Sequence, residues 1–350
     1  MVFCVDIENA SELDAFVAAQ PGGHVMQTSL WGRVKKDWRW QGLLLRNPDG
    51  SVRASMALLI RRLRHYPACL LYAPRGPVFA PGDTDAFLAL VRAAKDCGRR
   101  LGAYALRLDP EIPEEDAAFA ALARRIGFRI DAAEDYSLFQ PRLCYVLDMA
   151  GRTEETLPEL YRRSTRYNVR HALKGPLTLR FGGEEDLPAF CAMMGETAAR
   201  HGFAPRQAPY FRALLEGLGD CARLWLAETE GRAVAAAITV CFGGTCSLLY
   251  SCSDAEGQRL HANELIQYRA QADALGRGCT RYDFRGVEGR PTEENPAFGL
   301  HSYKQGFGAD FRAWIGQMDL PLRPFVYSMA QRFSHRRSAP YGCSSAGPQR

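Results

Sequence analysis

The chain has 350 residues, 47% hydrophobic and 24% charged, with a formal net charge of +5. Its length suits two domains of about 150 residues each, and its composition is typical of a globular protein. No stretch reaches the about 18 uninterrupted apolar residues of a membrane-spanning helix, and the N-terminus lacks a secretory signal's basic-then-apolar order, so we expect a cytoplasmic location.

The first half of the chain predicts a mixed α/β module. A helical spacing begins at Ser11, a candidate N-cap. The turn N-P-D-G joins two strands, and an amphipathic helix ends at Gly102. The sequence predicts helices over 11–20 and 84–102, with strands over 40–46, 52–62, 69–79 and 103–112.

The second half repeats this order of elements. Strands are predicted over 143–149, 177–182 and 280–286, three more between 222 and 254, and helices over 154–174, 186–202 and 261–278. The order matches the acyltransferase fold called GNAT. We therefore predict an α/β (α+β) protein with two GNAT-like domains around a central cleft.

Cysteines and histidines give no sign of a metal site. The eleven cysteines are scattered, none in a C-x-x-C pair, and the seven histidines lack ligand spacing. We expect buried, reduced thiols and no metal.

Several segments, in order, resemble the Fem family of peptidoglycan peptidyltransferases, over roughly residues 25 to 327. QTSLWGRVKKDW resembles the family's glutamine–tryptophan–valine–lysine signature, and LYAPRGPVF its "YAPRGP" loop. ALRLDPEIP and FQPRLCYVLDM are similar to the strand and crossover that link the family's domains. RRSTRYNVRHALKG resembles its basic helix, ARHGFAPRQAPYF its substrate loop, and YDFRGVEG with GLHSYKQGFGADFRAWIGQMDLPL its C-terminal signature.

The resemblance is closest to compact FemX-like members, because no 50-residue charged, heptad-like arm is present. It implies a first domain of residues 1–145 with about 317–335 and a second of 146–316; we expect the polar tail, 336–350, to be disordered. It also implies a monomer without a bound cofactor that transfers an amino acid from aminoacyl-tRNA to the stem peptide of UDP-MurNAc-pentapeptide or a lipid-linked precursor.

The implied chemistry is aminolysis of an ester, whose oxyanion needs a positioned positive charge. Lys304 matches the family lysine credited with this role. Arginine predominates among the basic residues, and lysine occurs at only five positions, so a retained lysine suggests a task that a guanidinium performs poorly. A surface lysine on a turn is the competing interpretation.

Further substrate contacts follow from the same resemblance. Lys35, with Lys36 beside it, and Arg206 match the family's phosphate-binding residues, although a solvated helix face and a loop salt bridge are the plain alternatives. Tyr210 and Tyr250 fall at positions for substrate hydroxyl contacts.

Two more residues complete the predicted site. Tyr303 takes the place of the aromatic residue beside the catalytic lysine, and Asp109 that of a carboxylate near the acceptor amine. The arginines of the basic helix suggest contact with tRNA or diphosphate, or simply a solvated helix.

Three other functions stay open. A GNAT acyltransferase would hold acyl-CoA on a glycine-spaced loop, but the segment from Gln258 to Asn263 lacks those glycines. A Fem-like enzyme acting on lipid II, with peripheral membrane contact through the basic tail, is the second. A non-catalytic protein that binds tRNA or an envelope precursor is the third.

Overall fold

The computed structural model of the chain describes residues 1–64, 66–201 and 204–334. The tail predicted over 336–350 lies outside these residues. Internal contacts divide the chain into two compact units. The first holds Met1–Ala133, Phe242–Gly244 and the described part of the segment that begins at Arg312, and the second holds Glu134–Cys241 and Thr245–Phe311.

The described residues contain fifteen strands. In chain order these are β1 Val2–Val5, β2 Arg39–Arg46, β3 Val52–Arg62, β4 Cys69–Ala73, β5 Val78–Phe79, β6 Ala103–Leu108, β7 Arg129–Asp131, β8 Leu143–Asp148, β9 Thr178–Gly182, β10 Ala222–Thr229, β11 Arg232–Phe242, β12 Thr245–Ser253, β13 Arg281–Gly286, β14 Asp310–Ala313 and β15 Gln317–Pro321.

Eleven α-helices accompany them in the same part of the chain. These are α1 Ser11–Ala19, α2 Ser29–Val34, α3 Thr84–Leu101, α4 Ala117–Arg125, α5 Arg163–Lys174, α6 Leu187–His201, α7 Ala208–Leu218, α8 Ala255–Arg259, α9 Ala262–Gly276, α10 Phe298–Gly306 and α11 Pro324–Ser334. The longest, α3, has 18 residues, so no long paired-helix arm occurs among the described residues.

The first unit is built on an eight-stranded sheet in the order β1-β2-β3-β4-β6-β15-β7, with β5 paired to β3. Helix α3 buries Phe87 and Leu90 against this sheet, because its apolar residues recur at helical spacing. The side chain of Asp83 caps its first turn, and Gly102 ends it in the left-handed conformation at φ 70°.

The second unit is built on a seven-stranded sheet in the order β14-β8-β13-β12-β11-β10-β9. Its parallel pair, β12 and β13, is in register only from Thr245–Ser247 to Arg281–Asp283, although β12 continues to Ser253. The final carbonyls of β13 therefore lie beyond its pairing with β12 and need other partners.

Several element boundaries differ from the sequence predictions. Ser11 is not the N-cap of α1 but its first residue, and Ala10 occupies the cap position without a side-chain bond. The basic helix begins at Arg163 rather than at 154, because the preceding segment contains Pro158 and forms a short 3₁₀ turn over Leu157–Glu159.

The boundary between the units also lies earlier than the predicted 145/146. Strand β8 straddles that position, and it belongs to the second sheet because it pairs antiparallel with β13. Among the described residues, no helix combines the length and apolarity that crossing a bilayer requires.

Candidate active site

Lys304 lies on the inner face of α10 and is buried, with 5% of its surface exposed. Its ammonium donates hydrogen bonds to the carbonyls of Phe284 (2.8 Å), Arg285 (2.9 Å) and Gly286 (2.7 Å). These are the carbonyls that β13 presents after its pairing with β12 has ended. Lys304 is therefore not the surface lysine on a turn that was the competing interpretation.

The end of β13 is irregular in a way that lets three consecutive carbonyls meet one ammonium. A register shift separates Asp283 from Gly286 in the pairing with β8, and Arg285 has a positive φ of 60°. The carboxylate of Asp283 accepts the backbone N–H of Arg285 at 2.7 Å, which stabilises this turn of the chain. Consecutive carbonyls in a regular strand would point to opposite sides.

The electrostatic setting of Lys304 combines opposing effects. Burial lowers the pKa of its ammonium to about 7, while the nearby Asp283 carboxylate acts in the opposite direction. The three carbonyl contacts also favour the protonated form, because an ammonium has three hydrogens to donate and no lone pair. The result is a desolvated cation held by backbone dipoles.

His301, one turn before Lys304, has no exposed surface and anchors α10. Its Nδ1 lies 3.0 Å from the hydroxyl of Tyr145, and its Nε2 lies 3.2 Å from the carbonyl of Glu288. The motifs of the sequence assign no role to His301. The helical spacing of His301 and Lys304 was the available signal, and the structure assigns His301 the positioning of α10.

Tyr303 is adjacent to Lys304 in sequence, but its hydroxyl is buried and has no hydrogen-bond partner. Its ring packs against Phe307 at 5.4 Å between centroids, and burial raises the pKa of the phenol well above its ordinary value. These contacts place the ring in a packed environment.

Arg206, Tyr210 and Tyr250 lie together in the second unit. The guanidinium of Arg206 lies over the ring of Tyr210, 4.2 Å from its centroid. Tyr250 donates its hydroxyl hydrogen to the hydroxyl of Tyr210 at 3.3 Å. Tyr210 lies in the first turn of α7, within the segment that the resemblance predicts to be a substrate loop. Gly202 and Phe203 of that segment lie outside the described residues.

The neighbouring lysines Lys35 and Lys36 have different surroundings. The ammonium of Lys35 lies 5.0 Å from the centroid of the Trp31 ring, just after α2 ends. Lys36 is exposed and lines a groove of about 650 Å³, together with Arg33, Arg39 and Trp38. Both lysines are in the first unit.

Asp109 follows β6 and is 2% exposed. Its carboxylate accepts hydrogen bonds from the hydroxyl of Tyr72 and the backbone N–H of Arg75, both at 2.6 Å. Desolvation by burial raises the pKa of this carboxyl group. In the structure Asp109 holds the YAPRGP loop to the sheet.

Gln27 is a residue whose role the sequence reasoning missed. Its fully buried amide donates to the carbonyls of Ala57 and Pro74 and accepts the N–H of Ala57 at 2.9 Å. A Cβ at Gly76 would overlap this amide, so glycine is required there. The amide of Gln27, in the segment QTSLWGRVKKDW, therefore explains why glycine occupies position 76 in the segment LYAPRGPVF.

A metal site would require a cluster of ligating side chains within residues 1–64, 66–201 and 204–334. No group of three or more histidine, cysteine, aspartate or glutamate side chains in these ranges is arranged to hold a metal ion. The cysteines described there are free thiols.

Comparison with known sequences finds a family model and curated relatives that are similar to this chain. The model of the FemAB family matches residues 9–233 and 228–335. The chain is 25% identical to the lipid II:glycine glycyltransferase of Staphylococcus aureus (strain USA300), over an alignment of 402 residues covering 93% of this chain and 94% of the relative. The alignment is longer than this chain, so the relative contains residues that this chain lacks.

Comparison with solved structures confirms the predicted fold class. A crystal structure of FemX matches with a TM-score of 0.85 and 22% identity, covering 94% of this chain and 99% of that one. A tandem GNAT protein from the clavulanic acid biosynthesis pathway gives 0.56 and 12%, covering 92% and 98%. L-PGS from Bacillus licheniformis gives 0.54 and 15%, covering 93% and 97%.

Proposed function

Because the chain belongs to the FemAB family, we propose that it is an aminoacyltransferase that transfers an amino acid from aminoacyl-tRNA to the stem peptide of a peptidoglycan precursor. The names of curated relatives support a transfer to such a precursor, since they describe glycyltransferases that act on lipid II. The identity of the donor as aminoacyl-tRNA is part of the proposal.

The proposed reaction forms an amide at the expense of an ester. The nitrogen of a primary amine on the stem peptide attacks the carbonyl carbon that joins the amino acid to the terminal ribose. The carbon–oxygen bond to the ribose then breaks, and the ribose hydroxyl leaves with a proton that the amine has lost. Negative charge on the carbonyl oxygen rises before that bond breaks, so stabilising it lowers the barrier.

The observation that carries the proposal is the buried ammonium of Lys304, at the position that resembles the family's catalytic lysine. Its bonds to Phe284 and Gly286 are buried, whereas the longer bond to Arg285 is only partly buried. The third hydrogen of the ammonium bonds the Arg285 carbonyl in the structure, and we propose that it bonds the oxyanion during the reaction. The other two bonds then keep the ammonium in place.

We propose that cations hold the precursor's phosphates. Stacking on Tyr210 fixes the plane of the Arg206 guanidinium, whose edge carries donors in the fork geometry that phosphate oxygens fit. Lys35 and Lys36 supply compact charges in the first unit. Asp109 and Tyr303 act as positioning residues in this account, for the YAPRGP loop and for α10 respectively.

The resemblance to compact members favours UDP-MurNAc-pentapeptide as the acceptor. The second candidate is lipid II, which the names of the curated relatives favour. Both carry a pyrophosphate, so the same cations would serve either one.

An acyl-CoA donor is disfavoured by the segment before α9. His261 occupies the N-cap position of that helix with a positive φ of 56°, and its ring lies 3.5 Å from the carboxylate of Glu264. A carboxylate in the first turn opposes the binding of a pyrophosphate there. Tight binding of acetyl-CoA in a calorimeter would reverse this assignment.

The proposal is tested by a transfer assay with the purified chain. Alanyl-, seryl- and glycyl-tRNA are each offered with UDP-MurNAc-pentapeptide or with lipid II in vesicles, and mass spectrometry follows the acceptor. We expect one acceptor to gain the mass of one amino acid residue, and uncharged tRNA to give none. Absence of a product with every pair would contradict the proposed function.

A further inference from the structure

Helix α5 carries a row of large side chains on the face opposite its buried side. Arg163, Tyr167, Arg170 and Lys174 fall within about 60° of one another at 100° per residue. We refer to these four residues as the α5 stripe. The buried side of the helix consists of Thr165, Val169 and Ala172.

The cations of the α5 stripe form no salt bridge in the part of the chain that the structure describes. Several arginines elsewhere in the second unit are paired with carboxylates, as in Arg152–Glu159, Arg180–Asp186 and Arg269–Glu154. The contrast indicates that the charge of the stripe is kept available for something outside the chain.

Two features of the stripe are unfavourable for the helix, although Lys174 in the last turn complements the helix dipole. Helix α5 contains no acidic residue, and a cation in its first turn, Arg163, opposes the positive end of the helix dipole. Arg170 and Lys174 are four residues apart, a spacing at which like charges repel. A polyanion bound along the stripe would offset both unfavourable terms.

Tyr167 gives the stripe an aromatic surface between two cations. Its side chain is 65% exposed, and its ring stacks on that of His171 with a centroid distance of 6.1 Å and an interplanar angle of 28°. Aromatic rings set among cations are the means by which proteins bind single-stranded nucleic acids, since bases stack on the ring while the cations contact phosphates.

The stripe begins next to the helix that carries Lys304. The backbone N–H of Arg162 donates to the carbonyl of Gly306 at 2.8 Å, and its guanidinium donates to Gln305 at 3.1 Å. From Arg163 to Lys174 the stripe extends about 16 Å along the helix. It therefore leads away from the last turn of α10, where Lys304 lies.

We infer that the α5 stripe binds the unpaired 3′ end of the tRNA donor, with one base stacked on Tyr167. This inference rests on the proposed function, because it assigns a binding surface to the donor of that reaction. With the esterified end at Lys304, the preceding nucleotides would run outward along the stripe.

A membrane surface fits the stripe less well. The other exposed apolar side chain of α5, Leu173, lies about 120° around the helix from Tyr167. Helices that lie in a bilayer interface present a continuous apolar face, which two side chains on different sides do not provide.

The inference is tested by binding of labelled RNA to the full chain. Fluorescence anisotropy compares an acceptor-stem hairpin that carries the unpaired 3′ nucleotides with the same hairpin made blunt. We expect Tyr167→Ala to weaken binding of the first RNA roughly tenfold and to leave the blunt RNA within about twofold. Tyr167→Phe should bind both RNAs like the wild type.

A charge variant and a matched control complete the test. Arg170→Gln should weaken binding of both RNAs and reduce the slope of log affinity against log salt by about 0.7. Arg212→Gln removes the same charge from α7, where Arg212 is paired with Glu184, and should leave both affinities unchanged. In the transfer assay, Tyr167→Ala should raise KM for the charged tRNA and not KM for the precursor.

The outcomes separate this inference from the proposed function. If the wild type binds the overhanging RNA and Tyr167→Ala binds it equally well, the inference is overturned and the proposed donor stands. If the wild type binds neither RNA and transfers no amino acid, both are overturned. If Tyr167→Ala or Arg170→Gln loses binding to anionic vesicles while its RNA binding stays intact, the stripe binds a membrane and the inference is overturned.

Discussion

At the residue scale, the main feature is a cation that the protein has removed from water. Transfer of an ammonium into the interior is unfavourable unless its hydrogens are satisfied, and three backbone carbonyls satisfy those of Lys304. The carbonyls are neutral, so they stabilise the ammonium without cancelling its charge. A salt bridge to a carboxylate would have weakened its attraction for an oxyanion.

The lowered pKa of Lys304 predicts a pH dependence of stability. The unfolded chain keeps this group protonated up to about pH 10.4, whereas the folded protein releases the proton at about pH 7. Between these values the unfolded state binds more protons, so the free energy of unfolding rises with pH, by at most about 1.4 kcal/mol per pH unit.

Lys304→Met removes this titration and serves as the reference. Urea unfolding at about pH 6 and about pH 9 should show the stability of the wild type increasing relative to the variant at the higher pH. A difference in stability that stays constant across this range would contradict the lowered pKa.

The stacked pair of Arg206 and Tyr210 predicts that the ring of Tyr210 matters more than its hydroxyl. Tyr210→Phe keeps the ring under the guanidinium and should change KM for UDP-MurNAc-pentapeptide by less than about twofold. Tyr210→Leu removes a cation–π contact of about 1 kcal/mol and should raise KM about fivefold.

Steady-state kinetics with the concentration of the precursor varied give this comparison. Arg206→Gln should raise KM further than Tyr210→Leu, because it removes the charge itself. Should Tyr210→Phe prove as harmful as Tyr210→Leu, the hydroxyl would be the substrate contact that the sequence suggested.

At the scale of elements, local patterns identified the strands better than the helices near the site. Strand β3 was predicted with its observed bounds, and β2 within one residue, since alternation and the N-P-D-G turn are local signals. The resemblance predicts a substrate loop up to residue 211, whereas helix α7 begins at Ala208. The sequence predicts no helix at α10, where a turn is the competing interpretation for Lys304. The buried face of α10 is determined by β13, whose carbonyl residues lie 18 to 20 positions before Lys304, beyond the reach of local periodicity.

Gln27 and Gly76 allow a test of how the YAPRGP loop is held. Gln27→Ala leaves three buried backbone groups without a partner and should lower the free energy of unfolding by about 2–4 kcal/mol. Gly76→Ala places a methyl group on the glutamine amide and should cost about 1–3 kcal/mol.

The double variant should lose less than the sum of the two single losses, because removal of the glutamine makes room for the methyl group. Urea unfolding of the four proteins measures this coupling. Strict additivity would show that the two residues do not act through their contact.

At the scale of the whole molecule, the repeated order of elements predicted two modules, and the structure contains one large sheet in each of two units. Each sheet has a parallel pair, β4–β6 in the first and β12–β13 in the second. Periodicity and turn signals in the sequence were therefore sufficient to predict two α/β modules.

Other properties of the site could not be read from the sequence. The position of Lys304 followed from a motif, but its carbonyl partners depend on the register shift in β13 and on the positive φ of Arg285. Asp109 shows the same limit, since a partner on the adjacent strand, Tyr72, occupies its carboxylate. Such features arise from pairing between distant segments, which local patterns do not encode.

The central claim is that the ammonium of Lys304 stabilises the charge of the reacting ester, and single-turnover transfer by Lys304→Met tests it most directly. The methionine side chain is similar in length to that of lysine, so the far-UV spectrum and the RNA affinity should persist. The rate of transfer should fall about 10²- to 10³-fold. Lys304→Arg should also be slow, because a planar guanidinium cannot reproduce three converging bonds. Lys95→Met, on α3, should react like the wild type. A Lys304→Met rate within about threefold of the wild type would contradict the account.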